Sequence, residues 1–596
     1  MEELSKVLTE QIKQALSAVV TQTEEPNYEF SLTRPNDIAH GDLSSNVAMI
    51  NAKKLGVNPK ELAIKLVAVL KNAQIRGIKE IEIAGPGFIN IQLEVEPILT
   101  AANKNINLSS TSIYAVEDPK ELVVEMGDTN THKFPHIGHL FNYITGDSIA
   151  RLKLAGGHKV HKVAWQGDVG PHVAKCLWGW RKLGKPQPEE LVTKMQLLQQ
   201  AYSLGNKHYD EDETAKAEIQ QLNKQIYDQD ESIVSDWQLT KDWSLQYDAM
   251  FEAQLGIKLE NRYLEGDLWP QGQQQVEENL KSSDSIFKES EGAIIFAGEE
   301  HGLHTRVFIT KQGTPTYETK EIGLAIQKLK DYPAMDLTII PTASEQNHYF
   351  KVVFKAISGF IEGYKGQNKL AHVGTGMFTL TSGKMGSRSG NIITAYDLIT
   401  EIKQRVSEVL NDREGLDESE KEDIINKVAL GAIKYSFLKG NILQNFVFDM
   451  DASVSFEGNS GPYLQYTYAR IASILRQTNT SELLQNLPLL SIPGGYELSP
   501  AELDLVKQLP WFTEAVKAAA RIDVVDNVTT HAPSPHLVAT YLFDLAQKFN
   551  SFYKLHSVNS AESSEISEFR KGLSAHTAAI IRLGLGLLGI DVPEKM

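Results

Sequence analysis

The chain has 596 residues, 42% hydrophobic and 23% charged, a length that predicts three or four domains with cores of their own. Lys and Arg total 59 against 76 Asp and Glu, and the formal net charge of -17 excludes a protein that holds nucleic acid by bulk positive charge. The single cysteine, Cys176, excludes a disulfide framework and a multi-cysteine zinc site, and it indicates a reducing compartment.

The first segment, MEELSKVLTEQIKQALSAVV, predicts an amphipathic helix. Its apolar stripe comprises Leu4, Val7, Leu8, Ile12, Leu16 and Val19. The segment lacks the apolar core of a signal peptide, and it is acidic, unlike an organellar transit peptide. The most apolar late stretch, IIRLGLGLLGI, is too short and too rich in glycine to span a bilayer. We therefore expect a cytoplasmic protein with no membrane partner.

The next part of the chain, up to residue 103, predicts a small α+β domain. Two helical stretches are separated by GVNP, and IKEIEIAGPGFINIQLEV alternates like two strands around a Gly-Pro-Gly turn. The polar stretch NKNINLSSTS that follows is typical of a linker. We therefore expect a domain boundary near residues 103 and 104.

Residues 104–450 predict an α/β domain. The strand KELVVEMGD, a helix to about Leu154 and the strand KVHKVAWQGD form a βαβ unit, whose right-handed crossover makes the sheet parallel. Charged helical sequence at about 181–290 is interpreted as an insertion. Strand-like pieces then return, and with intervening helices they favour one open α/β sheet with ligands at the carboxyl ends of its strands. These pieces are AIIFAG, TRVFIT, LTIIPTA and LAHVGTGMFTL.

His136, Gly138 and His139 lie in HIGH, where the first strand of this unit gives way to a helix. Free N–H groups and the dipole at a helix start favour a phosphate, and imidazole N–H groups can stabilise charge that develops on a phosphoryl group. Gly138 leaves bare backbone against which a flat ring such as adenine can lie. Read alone, the two histidines could equally be surface caps of a helix, and a zinc site is a weaker alternative.

A second segment, TLTSGKMGSRSGNIITAYDLI, brackets Lys384 and Arg388 with glycines. Mobile cations beside glycines can close over phosphates. Alone, the segment is a basic surface loop.

Together, HIGH and KMGSR resemble the two halves of the signature of class I aminoacyl-tRNA synthetases. KMGSR departs from the usual KMSKS, with Gly386 for the first serine and Ser387 for the second lysine. The run EMGDTNTHKFPHIGHL resembles the pattern of the arginyl-tRNA synthetases at every fixed position. These positions are Glu125, Asn130, Lys133, His136, Gly138 and His139. The resemblance implies that Lys133 substitutes for the missing lysine.

The resemblance implies catalytic roles for His136 and His139 at the α-phosphate of ATP, and for Lys384, helped by Lys133 and Arg388, at the departing diphosphate. The implied ATP-binding residues are His136, Gly138, His139, Gly167, Asp168, Lys384 and Met385. Selecting a planar, five-donor guanidinium requires paired acceptors, so carboxylates are expected in the pocket. The implied arginine-binding residues are Glu125, Asn130, Tyr317, Glu321 and Gln346, with Glu321 standing where the family usually has Asp.

Beyond about residue 400 the periodicity is helical, and residues 451–596 resemble the DALR-type anticodon-binding domain. Within FEGNSGPYLQYTYARIASILR, Tyr463, Tyr466 and Arg470 share one helical stripe that can stack unpaired bases and pair a phosphate. The alternative is that such an aromatic stripe is core. HGDLSSNVA and AGPGFINIQL resemble the N-terminal domain through which arginyl enzymes contact tRNA.

The resemblance therefore implies a Rossmann-like parallel-sheet catalytic domain, flanked by an N-terminal α+β domain and a C-terminal all-helical anticodon-binding domain. The implied activity joins L-arginine to tRNA(Arg) with ATP and Mg²⁺, in a monomer with no metal site built from its own side chains. Two alternatives stay open at this point: a tRNA-binding paralogue without activity, and another class I synthetase. Of the latter, the cysteinyl enzyme has cysteine ligands to zinc that one cysteine cannot supply.

Overall fold

The computed structural model describes residues 2–20, 28–35, 40–380, 394–410 and 417–596. The chain forms two compact units. The first comprises Met1–Leu108, Ile471–Thr513 and Asp544–Ile580, and the second comprises Ser109–Arg470, Glu514–Phe543 and Ile581–Met596. None of the helices in the described ranges is long and apolar enough to cross a membrane.

The first unit begins with an antiparallel sheet of order β1-β2-β4-β3 packed with helices. The helices on either side of GVNP are confirmed: Gly56 ends one at a φ of +65°, and the Asn58 side chain caps the next. Leu8, Ile12 and Leu16 of the first helix are fully buried, whereas Val7 is 47% exposed, so its place in the predicted stripe is wrong. The elements are α1 (Glu2–Val19), β1 (Leu32–Thr33), β2 (Leu43–Ser45), α2 (Val47–Leu55), α3 (Pro59–Asn72), β3 (Ile78–Ala84), β4 (Phe88–Leu93) and α4 (Val95–Asn103).

The second unit is built on a sheet of five strands, all parallel, in the order β12-β11-β5-β6-β7. The predicted parallel α/β fold is therefore confirmed. Its elements are β5 (Glu121–Met126), α5 (Ile137–Leu154), β6 (Lys159–Gln166), α6 (Pro171–Lys182), α7 (Leu191–Glu211), α8 (Glu213–Tyr227), α9 (Val234–Gln254), β7 (Asn261–Leu264), α10 (Glu265–Leu280), β8 (Phe287–Ser290), β9 (Ala293–Phe296), β10 (Arg306–Ile309), α11 (Tyr317–Asp331), β11 (Leu337–Ala343), α12 (Asn347–Phe360), β12 (Leu370–Thr375) and β13 (Phe378–Leu380).

Two features of this unit differ from the sequence-based expectation. The strands in AIIFAG and TRVFIT do not join the parallel sheet; as β9 and β10 they form a separate antiparallel sheet with β8. Short connections between these strands favour hairpins over the long crossovers that parallel pairing needs. The segment interpreted as an insertion also contains β7, which pairs in parallel with β6 at the edge of the main sheet.

The remainder of the chain is mainly helical, as expected, with one short hairpin, β15–β16, whose turn residues Asp526 and Asn527 have φ values of +51° and +57°. Paired positive φ values are typical of a two-residue hairpin turn. The elements are α13 (Ala395–Leu410), α14 (Glu418–Leu438), β14 (Phe446–Phe448), α15 (Met450–Val454), α16 (Gly461–Gln477), α17 (Pro500–Gln508), α18 (Phe512–Ala520), β15 (Asp523–Val525), β16 (Val528–His531), α19 (His536–Leu555) and α20 (Ser564–Leu587).

Candidate active site

Two histidines lie at the start of α5. His136 is the N-cap residue, and its Nδ1 accepts hydrogen bonds from the backbone N–H groups of Gly138 at 3.0 Å and His139 at 3.3 Å. The backbone N–H of His136 donates in turn to Nδ1 of His139 at 3.1 Å. The two rings stack with centroids 3.6 Å apart. This reciprocal capping fixes both imidazoles at the positive end of the helix dipole.

Both imidazoles are held in the neutral form. Burial, and then the positive charge of Lys133, lower the pKa of His136 to about 4. Burial also lowers the pKa of His139 well below its ordinary value, with His136 and Lys133 adding to the effect. Because each Nδ1 accepts a backbone N–H, the one ring proton is on Nε2. The pair therefore offers two neutral N–H donors, which suit an anionic oxygen.

The loop between β5 and α5 is braced by α9, a helix of the predicted insertion. The His132 backbone N–H donates to Ser244 Oγ at 2.8 Å, and its Nε2 lies 2.9 Å from Thr240 Oγ1. Thr129 Oγ1 donates to Asp248 at 3.2 Å. The insertion therefore supports the site, a role that was not predicted.

Lys133, on the same loop, is half-buried, and burial lowers its pKa. Its Nζ lies 5.1 Å from the ring centroid of Tyr202, which belongs to α7. The predicted catalytic lysine is thus next to the histidine pair in the chain, with its ammonium group against an aromatic face.

A cavity of about 330 Å³ opens at the carboxyl ends of β5 and β6 and beside α11 and α12. This is the edge at which a parallel sheet is expected to bind ligands. It is lined by Glu125, Asp128, Thr129, Asn130, Trp165, Gly167, Glu265, Arg306, Tyr317, Glu318, Glu321, Gln346, Tyr349 and Phe350. All five residues predicted to bind arginine are in this list.

Three of the carboxylates that line the cavity are neutralised by cations. Lys328 donates to Glu125, and both side chains are 3% exposed. Lys320 donates to Glu265 at 2.5 Å, and Arg306 donates to Glu318 at 2.9 Å.

The other two, Asp128 and Glu321, form no ion pair with any residue in the described ranges. Glu321 is 9% exposed and accepts a hydrogen bond from Trp165 Nε1 at 3.2 Å. Burial, and then the negative charge of Glu125, raise its pKa well above the ordinary value. Asp128 is exposed to the cavity, and desolvation by the surrounding cavity walls, followed by the charges of Glu125 and Glu265, raises its pKa to about 7. The cavity therefore has two carboxylates whose ionisation a bound cation would favour.

Asn130 and Gly167 meet across the ends of their strands. They form an isolated β-bridge, and a Cβ on Gly167 would lie 2.5 Å from Asn130 Oδ1, so a larger residue there would displace the Asn130 side chain from the cavity wall. Asp168 lies behind the cavity and is fully buried. Its carboxylate accepts from the Gly266 backbone at 2.6 Å and from Lys241 Nζ at 3.3 Å. Its contacts therefore hold the start of α10 in place.

The other predicted site residues belong to two segments of the chain. Lys384, Met385 and Arg388 lie outside the described residues. On α16, Tyr463, Tyr466 and Arg470 are half-buried, while the residues between them are mostly buried. The Arg470 guanidinium lies 4.7 Å from the Tyr466 ring centroid. The three side chains thus form the partly exposed stripe of that helix.

Three family profiles match successive parts of the chain. Residues 103–450 match the class I tRNA synthetase (R) catalytic domain. Residues 464–596 match the DALR anticodon binding domain, and residues 6–93 match the arginyl tRNA synthetase N terminal domain.

Whole-chain comparisons agree with these matches. An arginine–tRNA ligase of Bacteroides fragilis is 30% identical over 540 residues, which cover 86% of each chain. One of Flavobacterium psychrophilum is 29% identical over the full length of both chains. The solved arginyl-tRNA synthetase of Thermus thermophilus has a TM-score of 0.77 at 23% identity over all of both chains. That of Plasmodium falciparum has a TM-score of 0.75 at 21% identity, over all of this chain and 99% of the other. At these identities the two solved structures establish a shared fold.

Proposed function

We propose, for a chain that belongs to the arginyl-tRNA synthetase family, that the carboxylate-lined cavity holds L-arginine next to ATP at the histidine pair. The activity is the ligation of arginine to tRNA(Arg). The arginine carboxylate attacks the α-phosphate of ATP, giving arginyl-adenylate and diphosphate. A hydroxyl of the terminal ribose of the tRNA then takes the arginyl group and AMP leaves.

The observation that carries this proposal is the pair of carboxylates that have no counter-ion within the described part of the chain. Arginine has two cationic groups, the guanidinium and the α-ammonium, and these two carboxylates, Glu321 and Asp128, are one acceptor for each. We assign the guanidinium to Glu321, because that carboxylate is buried beside Trp165. We assign the α-ammonium to Asp128, because that side chain is exposed to the cavity. Tyr317, Asn130 and Gln346 add neutral hydrogen-bonding groups to the same wall.

Arginine affinity is expected to rise as pH increases from about 6 to 8. The pKa of Asp128 is raised to about 7 in the empty cavity, so below that pH the carboxyl is protonated and a bound cation must displace its proton. Calorimetry in two buffers of different ionisation enthalpy measures this proton release. Asp128→Asn is expected to remove the part of the release that comes from Asp128 and to flatten the pH dependence near pH 7, whereas the part that comes from Glu321, whose pKa is also raised, remains. An unchanged release in the variant would assign the proton to another group.

At the other end of the site, we propose that the Nε2 donors of His136 and His139 stabilise the α-phosphate as arginine attacks. ATP lies over Gly138, and Gly167 keeps the neighbouring strand end close, with Asp168 supporting it from behind. Lys133, Lys384 and Arg388 stabilise the departing diphosphate, and Met385 flanks the ATP. Mg²⁺ accompanies the ATP. The described residues contain no cluster of three or more metal-ligating side chains, so the ion is held mainly by phosphate oxygens and water.

Gly138→Ala is expected to lower kcat about 10- to 100-fold with little change in the KM for arginine. A Cβ at this position would lie 2.8 Å from Cε1 of His136, so the ring must move and lose its hydrogen bonds to the helix start. Gly586→Ala is the matched control, because that glycine in α20 has open space around it. Steady-state kinetics of aminoacylation measures kcat and the KM for arginine separately. A normal kcat in Gly138→Ala would mean that the reaction does not depend on the position of the His136 ring.

We propose that Tyr463, Tyr466 and Arg470 on α16 contact tRNA, through base stacking and one phosphate. Their partial exposure on one face of the helix supports this role, because side chains that only formed the core would be fully buried. We also propose that the protein acts in the cytoplasm as a monomer.

ATP–diphosphate exchange with each amino acid, with and without tRNA(Arg), tests the proposed function. Exchange with arginine alone among the amino acids is expected. Exchange driven by another amino acid would make the cavity assignment wrong. No exchange with any amino acid plus tRNA would favour a tRNA-binding paralogue. The neutral, reciprocally capped histidines favour the enzyme.

A further inference from the structure

A second cavity, of about 760 Å³, lies in the second unit at the amino ends of β5, β6 and β11. It is therefore at the opposite end of the strands from the arginine cavity. Its wall is largely apolar, and it includes Leu122, Leu337, Ala518 and Ile522. Its volume is within the range of about 300–1,000 Å³ that is usual for small-molecule sites.

Lys153, near the end of α5, is the most unusual residue of this wall. Its side chain is only 6% exposed, yet its ammonium group forms no hydrogen bond or ion pair with any residue in the described ranges. Burial lowers its pKa to about 8, and the negative charge of Asp523 opposes that effect only in part. A buried cation is costly unless it is paired, so an anion in the cavity would stabilise it.

His158 supplies a second donor on the same wall. Its Nδ1 accepts the backbone N–H of Lys120 at 3.0 Å, which places the ring proton on Nε2 in the neutral form. Three other cations line the cavity: Lys120 pairs with Asp118, Arg521 pairs with Asp523 at 2.6 Å, and Lys517 is exposed, so its charge is not buried. Among the described residues, Lys153 and His158 are therefore the buried and half-buried donors of the lining that have no acceptor for Nζ and Nε2.

We propose that this cavity binds a small amphipathic anion, with a single acidic head group at Lys153 and His158 and an apolar body against the leucine and isoleucine side chains. An anion without an apolar body leaves the wall unfilled, and an apolar molecule without a charge leaves Lys153 unpaired. The cavity uses none of the residues assigned to arginine or ATP. Its ligand is therefore independent of the aminoacylation substrates.

Calorimetric titration of the full chain with octanoate, 1-octanol and inorganic phosphate tests this site. Octanoate is expected to bind more tightly than either of the others, and to bind equally in the presence of saturating arginine and ATP. In Lys153→Met the affinity for octanoate is expected to fall about 10- to 100-fold, the value of a buried charge-assisted hydrogen bond. The affinity for 1-octanol is expected to stay the same. Lys355→Met, which removes an exposed lysine of α12, is the matched control.

A second variant keeps the test independent of how Lys153→Met folds. Ala518→Trp places a large ring at an exposed position of the lining and is expected to abolish octanoate binding. Circular dichroism and aminoacylation check that each variant is folded. Equal octanoate affinity in the wild type and both variants would overturn the proposal, as would the absence of octanoate binding to the wild type. Loss of octanoate binding on adding arginine would place it in the active site instead.

Discussion

Glu321→Gln is expected to lower kcat/KM for arginine about 100- to 1,000-fold and to leave the KM for ATP almost unchanged. The substitution keeps the size of the side chain and its hydrogen bond from Trp165, but removes the buried negative charge. Losing one partner of a buried charge pair costs about 3–4 kcal/mol, and each 1.4 kcal/mol is about tenfold. Steady-state aminoacylation with arginine and ATP varied in turn measures the effect.

Glu345→Gln is the matched control, because it removes the same charge from an exposed position next to Gln346. It is expected to change kcat/KM for arginine less than about threefold. Equal losses for arginine and ATP in Glu321→Gln would mean that the variant disturbs the whole site.

An arginine analogue without the α-amino group separates the two unpaired carboxylates. Inhibition by 5-guanidinopentanoate is expected to weaken in Glu321→Gln and to remain unchanged in Asp128→Asn. The reason is that the analogue keeps the guanidinium and has no ammonium group. The opposite result would exchange the roles that we assign to Glu321 and Asp128.

Those parts of the fold and site that depend on local periodicity could be predicted from the sequence. Apolar strands followed by helices gave the βαβ unit, and the helix start at His136 follows from the same reading. The spacing of Tyr317 and Glu321 predicts one face of a helix, and both side chains line the cavity.

Features that depend on distant pairing could not be predicted. The residues of AIIFAG and TRVFIT do not indicate which sheet each strand joins, and only the short connection between the two strands favours a hairpin. The neutralisation of Glu125 depends on Lys328, which is 203 residues away in the chain. The position of Asp128 depends on its backbone φ of +52°. The local sequence EMGD does not predict that value.

The packing of α9 against the loop after β5 was not predicted, although the sequence contains a signal for it. Thr240, Ser244, Asp248 and Glu252 recur every fourth residue along α9, and all are at most 4% exposed. A helix that keeps polar groups on its buried stripe must present them to other polar groups. That spacing was sufficient to predict that the charged insertion packs on a polar loop, here the one that carries His132.

Glu125→Gln is expected to reduce both the free energy of unfolding and the kcat/KM for arginine, each for a different reason. Glu125 accepts from Lys328 through Oε2 and lines the arginine cavity, so we propose that Oε1 is directed to the substrate. The single substitution leaves the Lys328 ammonium buried and unpaired, and breaking a buried pair in this way costs about 3–5 kcal/mol. Thermal or urea unfolding measures that loss.

The double variant Glu125→Gln/Lys328→Met distinguishes a counter-ion from an arginine ligand. Removing both charges leaves no buried ion, so the free energy of unfolding is expected to recover to within about 1 kcal/mol of the wild type. The kcat/KM for arginine is expected to stay at least about 30-fold low, because the substrate still lacks one acceptor. If the kcat/KM for arginine recovers together with the free energy of unfolding, Glu125 acts only by neutralising Lys328. Asp128 and Glu321 are then sufficient for both cationic groups of the substrate.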